Sequence, residues 1–178
     1  MEDSFIRPDE LWKKVGLKAE QTVAHLGAGP GYYIIPAAHI VGPKGQAIGI
    51  DVLPDMLAEI ESRAARENIK DIVQTIRANL ENDPGSPLKN ASLDWVLVAN
   101  ILHLSDSAKI LKEAARLVRP QGKVLIIEWS TAASPFGPPT SHRLAKADIL
   151  TAAAQHGLVM KEDFEPSPYH YGLILTKS

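Results

Sequence analysis

The residues best suited to chemistry lie in the run His25-Leu26-Gly27-Ala28-Gly29-Pro30-Gly31 and, about 20 residues beyond it, at Asp51. Glycines this close together let the backbone turn sharply and approach a ligand with no Cβ in the way. A helix that starts just after them offers amide hydrogens with no partner inside the helix. The combination suits a nucleotide-like ligand, and Asp51 stands where a carboxylate accepts two ribose hydroxyls. Two plainer readings stand beside it: a tight turn that binds nothing, and an Asp51 that caps the helix after Pro54. Asp55 lies closer to that helix, whereas Asp51 ends a strand.

Such a turn must join a strand to a helix. Apolar runs of strand length at 22–26, 46–50, 72–76, 93–99 and 123–128 predict five strands. Helical spacing falls between them, at 32–41, 54–68 and 106–118, with Pro54 where a first-turn proline is tolerated. Alternation of this kind, with near-continuous apolar strands such as Trp95-Val96-Leu97-Val98-Ala99, predicts a parallel sheet covered on both faces. A short helix at 8–15 leads, and a last helix at 143–156 ends at Gly157. Strands at 158–164 and 169–176 are separated only by Glu165-Pro166-Ser167-Pro168, too short for a parallel crossover, so they should pair antiparallel. The expected fold is α/β: a doubly wound, mostly parallel seven-stranded sheet with helices on both faces and a C-terminal antiparallel hairpin, residues 1–178 forming one domain.

Composition narrows the partners. A net charge of -2 and the lack of any long Lys/Arg run argue against nucleic acid. No apolar run reaches the roughly 18 residues of a membrane span, and Met1-Glu2-Asp3-Ser4-Phe5 lacks the basic and apolar regions of a signal peptide, so a cytoplasmic location is expected. With no cysteine, disulfides, thiolate metal sites and Cys nucleophiles are excluded, and no metal site is expected. The sequence leaves the oligomeric state open.

A dinucleotide fingerprint would place its third glycine at Tyr32, whose bulk opposes close helix packing. The spacing Gly27, Gly29, Gly31 instead resembles the first motif of class I S-adenosylmethionine-dependent methyltransferases. Gly49-Ile50-Asp51, the run from Ser92 through Asn100, and the run from Glu113 through Lys123 resemble that family's later motifs in order. Within the family the chain looks most like the ubiquinone/menaquinone-biosynthesis type, on Asn100-Ile101-Leu102-His103 and Arg119-Pro120-Gln121-Gly122.

The resemblance implies S-adenosylmethionine as cofactor, its methionine part facing Gly27, Ala28, Gly29 and Gly31. It gives the ribose to Asp51, the adenine to Val52 and Met56 with Asn79 and Leu80 after the third strand, and the space beside the sulfonium to Asn100 and Ile101. His25 departs from the family, which usually has Asp or Glu there. A neutral imidazole accepts one hydrogen bond and adds no negative charge, while a protonated one repels the methionine ammonium. Weaker cofactor binding is therefore expected, more so at low pH as His25 charges. The alternative is a His25 that simply packs at a strand end.

Methyl transfer is a displacement from an already activated sulfonium, so the protein mainly aligns the acceptor and removes its proton where needed. His103, just past the fourth strand, is the first candidate base, against the alternative of a packing or helix-start residue. Glu128 and Tyr33 rank below it. His142 and Arg143 follow the Pro-rich loop at 131–141, which either covers a substrate or connects two elements. The expected function is methyl transfer to a small-molecule acceptor, with a non-catalytic S-adenosylmethionine-binding or regulatory protein as the alternative. Asn100 lacks the Pro-Pro-aromatic continuation of amino-group methyltransferases, and the absence of cysteine excludes arsenic chemistry.

Overall fold

Pro8 fixes the first turn of α1 (Pro8–Val15), and Gly16, at φ 87°, ends it in the left-handed region. The helix presents Leu11, Trp12 and Val15 to the interior, and the Trp12 indole N–H donates to the Tyr33 carbonyl at 2.9 Å. Helix and sheet then alternate: β1 (Thr22–Leu26), α2 (Ile34–Val41), β2 (Gln46–Asp51), α3 (Pro54–Arg66), β3 (Val73–Arg77), β4 (Leu93–Ala99), α4 (Ser107–Leu117), β5 (Val118–Trp129), α5 (Lys146–Ala154), β6 (Leu158–Ser167) and β7 (His170–Lys177). This computed structural model describes residues 5–177; Met1–Ser4, where most of the signal-peptide reading falls, and Ser178 lie outside the described residues.

The seven strands form one sheet in the order β3-β2-β1-β4-β5-β7-β6. The five-stranded β3 to β5 part is parallel; β7 runs antiparallel to β5, and β6 antiparallel to β7. Side chains alternate across the strands, so each strand feeds two cores. On one face Val23, Ala47, Trp95, Leu97, Leu125 and Ile127 pack with α1, α2 and α3. On the other, Ala24, Leu26, Ile48, Val96, Val98 and Ile126 pack with α4 and α5. The chain leaves β1 toward β2 on one side and returns to β4 on the other, which opens a crevice at the carboxyl ends of β1 and β4.

Three boundaries differ from the sequence expectation for physical reasons. The last helix starts at Lys146 rather than 143, because the Arg143 guanidinium holds the carbonyls of Ser130, Ala132, Phe136 and Pro138 and the backbone there stays extended. Strand β5 begins at Val118 rather than 123. Its register jumps between Leu93↔Val118 and Trp95↔Lys123, so the expected Arg-Pro-Gln-Gly turn is an excursion inside the strand, with Gln121 at φ 66°. The hairpin is tighter than expected: β6 continues through Ser167, leaving only Pro168 and Tyr169 as the turn.

Candidate functional site

The crevice is organised by the turn after β1. The Gly27 and Ala28 amides both donate to the Ile50 carbonyl at 2.9 Å, tying the turn to β2. Gly27, Gly29 and Gly31 have φ of 72°, 51° and 89°, conformations that favour glycine. A Cβ on Gly27 would stand 2.2 Å from Ile101 Cδ1, so only a bare backbone passes there. Gly31 lies behind the turn, where a Cβ would press on Ile60 and Ile35.

Asp51, at the tip of β2, has one carboxylate oxygen on the Gly29 amide at 2.8 Å and the other on the Leu53 amide at 3.0 Å. It therefore caps neighbouring amides rather than α3, which starts at Pro54 with no side-chain cap. A carboxylate offers about four acceptor positions, so two remain for a ligand. The residue borders a cavity of about 440 Å³ lined also by Gly27, Val52, Leu53, Asn79, Leu80 and Ile101. Val52 and Leu53 are half exposed and form an apolar rim. Asn79 Oδ1 accepts the Glu81 amide at 3.0 Å. Met56, placed beside an adenine by the family resemblance, is on the first turn of α3 and is not among the residues lining this cavity.

A second cavity of about 400 Å³ lies on the other side of the turn, lined by Phe5, Ile6, His25, Gly27, Ala28, Tyr32, Tyr33, Ala99, Asn100, Trp129 and His170. Gly27 alone lines both. Phe5, Phe136 and Tyr169 stack edge-on or tilted with centroids 5.1 to 6.1 Å apart, drawing three distant segments together beside this cavity. The Tyr32 hydroxyl donates to the Ile6 carbonyl at 2.5 Å. Among the described residues, no Asp, Glu, Lys or Arg lines this cavity.

Its polar groups are neutral and under-used. His25 is 3% exposed, lies edge-on to Tyr33, and has no hydrogen-bond partner at either ring nitrogen among the described residues. Burial pushes its pKa down to about 3. The expected charging of His25 at mildly low pH is thereby corrected: desolvation keeps the ring neutral there. Asn100 sits at φ 54°, and its Oδ1 is buried without a partner among the described residues. The Tyr33 hydroxyl is held far above its usual ionisation range, by burial first and by Tyr32 and Glu128 next.

The structure does not bring His103 to either cavity. Its Nδ1 lies 3.0 Å from Glu128 Oε2, while Glu128 Oε1 accepts the Leu102 amide at 2.8 Å. Burial pushes the Glu128 carboxyl up, and His103 and the amides of Leu102 and Trp129 oppose that shift. The expectation of His103 as a base facing the acceptor is not met by this placement: the buried carboxylate claims its ring. Arg143 stitches the Pro-rich loop together, and neither it nor His142 lines either cavity. Sequence reasoning missed His170, Trp129 and Phe5, which reach the second cavity from distant parts of the chain; the β5–β7 pairing that sets His170 opposite Trp129 is tertiary and left no local signal.

The adjoining cavities suit a ligand that runs from an Asp51-bordered apolar slot past Gly27 into an aromatic chamber. A family model described as "Methyltransferase domain" matches residues 23–122. The chain is similar to a ubiquinone/menaquinone biosynthesis C-methyltransferase UbiE of Hahella chejuensis, at 28% identity over 132 residues, 71% of this chain and 52% of the relative. A demethylmenaquinone methyltransferase of Lactobacillus johnsonii is 29% identical over 128 residues, 71% of this chain and 51% of the relative. The chain thus spans about half the length of the curated relatives it matches. A crystal structure of an S-adenosylmethionine-dependent methyltransferase from Aquifex aeolicus superposes with a TM-score of 0.88 at 25% identity, covering 97% of this chain and 90% of that one.

Proposed function

The chain belongs to the class I S-adenosylmethionine-dependent methyltransferase family, and from that premise we propose that it transfers a methyl group from S-adenosylmethionine to a small, uncharged acceptor held in the second cavity. The observation that carries the reading is the pair of cavities meeting at Gly27, one bordered by a ribose-competent carboxylate and the other lined, among the described residues, by aromatic and neutral side chains.

The residues fit the cofactor. Gly27 borders both cavities and, lacking a Cβ, lets Ile101 pack directly on the turn, and the orphaned nitrogens of buried His25 need a partner that a bound ligand can supply. Asp51 would take the ribose hydroxyls on its two remaining acceptor positions. Val52, Leu53, Leu80 and Ile101 would flank the adenine, with the second lone pair of Asn79 Oδ1 toward its amino group. Ala28, Asn100 and His25 would border the methionine part, His25 accepting one hydrogen bond from the ammonium without adding charge. S-adenosylmethionine supplies a methyl group already activated on a sulfonium, so the protein's task is alignment and exclusion of water. The aromatic walls favour a flat, ring-bearing acceptor, in keeping with the quinone-pathway names of the relatives.

Calorimetric titration with S-adenosylmethionine and S-adenosylhomocysteine, with NADH as control, tests the reading. Binding of both adenosyl ligands, lost by about 100-fold or more in Asp51→Ala, is expected, since two charge-assisted hydrogen bonds go at about 1.5 kcal/mol or more each. Binding of NADH in place of the adenosyl ligands would overturn it.

A further inference from the structure

The far wall of the second cavity holds a group that cofactor binding does not use. His170 opens β7 opposite Trp129 of β5, and the two rings stack with centroids 4.1 Å apart at 36°. Its Nδ1 lies 2.9 Å from Ser167 Oγ, and that oxygen accepts the Tyr169 amide at 3.2 Å across the hairpin turn. Both His170 and Ser167 are buried. One edge of the imidazole is thus fixed by the turn and one face by an indole.

The other edge faces the reaction space. Nε2 lies 3.4 Å from Asn100 Nδ2, the side chain whose Oδ1 has no partner among the described residues, and His25 with its two orphaned nitrogens lines the same cavity. With Asn100 Nδ2 donating, Nε2 carries the lone pair and Nδ1 the proton given to Ser167, the tautomer that lets every contact form. The long 3.4 Å contact is one that a better donor displaces.

Resting on the methyl-transfer reading above, we propose that His170 is a catalytic residue, its Nε2 taking the acceptor's proton, and that Ser167 is the positioning residue that holds its tautomer. The acceptor's bond to hydrogen breaks with its electron pair left on the atom that takes the methyl, while the C–S pair stays with sulfur. The proton passes to the Nε2 lone pair and reaches water as the product leaves. Burial, and then the charge of Arg143, hold the His170 pKa down to about 4, so the lone pair is available throughout the neutral range. A base this weak takes a proton only as the acceptor loses electron density to the incoming methyl, so proton transfer follows rather than precedes alkylation. The surroundings agree: Asn100, Ser167, Trp129 and Arg143 are the groups ranged about the ring, and none is a carboxylate that would store the proton.

The test uses full-length protein with labelled imidazole nitrogens, saturated with S-adenosylhomocysteine and titrated with hydroquinone as the probe. Nitrogen NMR should show the His170 Nε2 resonance moving as the phenolic hydroxyl donates to it, with Nδ1 nearly still. Ser167→Ala should mix the two tautomers while leaving S-adenosylhomocysteine affinity within about threefold. Where hydroquinone is methylated, His170→Gln should lower kcat about 100-fold or more with KM little changed. Hydroquinone that leaves Nε2 unmoved, whether or not it is turned over, overturns the assignment. Failure of the wild-type protein to bind S-adenosylhomocysteine strikes instead at the methyl-transfer reading.

Discussion

Replacing Gly27 by alanine perturbs the one residue that borders both cavities. Its φ of 72° is left-handed, a conformation that costs an L-residue about 1–2 kcal/mol. The new Cβ would also stand 2.2 Å from Ile101 Cδ1 and 3.2 Å from Cγ1. Cδ1 is the tip of a rotatable side chain, so Ile101 gives way rather than the backbone, at about 0.5–1.5 kcal/mol for an off-rotamer torsion. The expected loss of stability is therefore about 1.5–3.5 kcal/mol. Gly16→Ala is the control: φ is 87° and an added Cβ meets nothing within 4 Å, so it should lose only the backbone part.

The ligand effect is separable. The added methyl and the displaced Ile101 both enter the space a ligand would cross, and overpacking of about 1–3 kcal/mol corresponds to roughly 5- to 150-fold weaker S-adenosylhomocysteine binding. Gly16→Ala should bind normally. Ile101→Val removes Cδ1, so in that background Gly27→Ala should cost about 1 kcal/mol less stability than it does alone. Denaturant unfolding and calorimetric titration of the three single variants and the double mutant read both effects. Wild-type affinity in Gly27→Ala, or no relief from Ile101→Val, would falsify the picture of one ligand passing over Gly27.

Two further outcomes follow from the buried histidines. His25 and His170, ordinarily near 6.5, sit at about 3 and about 4 in the folded protein, so the unfolded chain takes up protons first. Their contribution is fully present above pH 6.5 and lost as pH falls, by at most about 1.4 kcal/mol per pH unit for each, until pH passes their folded values. Urea midpoints between pH 4.5 and 7.5 should show this slope, and His25→Phe should remove part of it; an unaltered slope would mean that ring is not held neutral. His103→Ala leaves a Glu128 carboxyl oxygen buried without its ring partner and should cost about 1–3 kcal/mol, with S-adenosylhomocysteine affinity kept within about threefold because His103 borders neither cavity. A marked affinity loss at full stability would instead put His103 in the binding machinery.

Local signals made the glycine turn and the slot beside Asp51 readable. Strand β1, strand β4 and helix α1 fall at the expected residues because each is marked by its own composition, a bounded apolar run or a proline start with a glycine stop. The glycine turn and Asp51 are likewise coded within one strand-helix-strand unit. The acceptor side is not local. Phe5 precedes the first helix, Trp129 ends β5 and His170 begins β7, and only the order in which β7 inserts beside β5 makes them neighbours. The placement of His103 was not legible, because position after β4 is a sequence property, whereas its contact with Glu128 is a tertiary one.

Charge connects the two halves. A neutral His25 stands where the family usually has an acid beside the glycine turn, and among the described residues no carboxylate lines the second cavity. A chamber of this kind holds a localised positive charge weakly, because neither a counter-ion nor bulk water stabilises it. It holds the spread-out charge of a methyl group in transit less unfavourably, and after transfer the charge has left sulfur with the proton that His170 passes to water. A neutral residue at this position therefore lowers the barrier measured from the bound state, so His25→Asp should stabilise bound S-adenosylmethionine more than the transition state, raising affinity while lowering kcat. Calorimetry paired with single-turnover kinetics on the His25→Asp protein separates the two effects, and a variant improved in both would show that charge in this chamber does not shape the reaction.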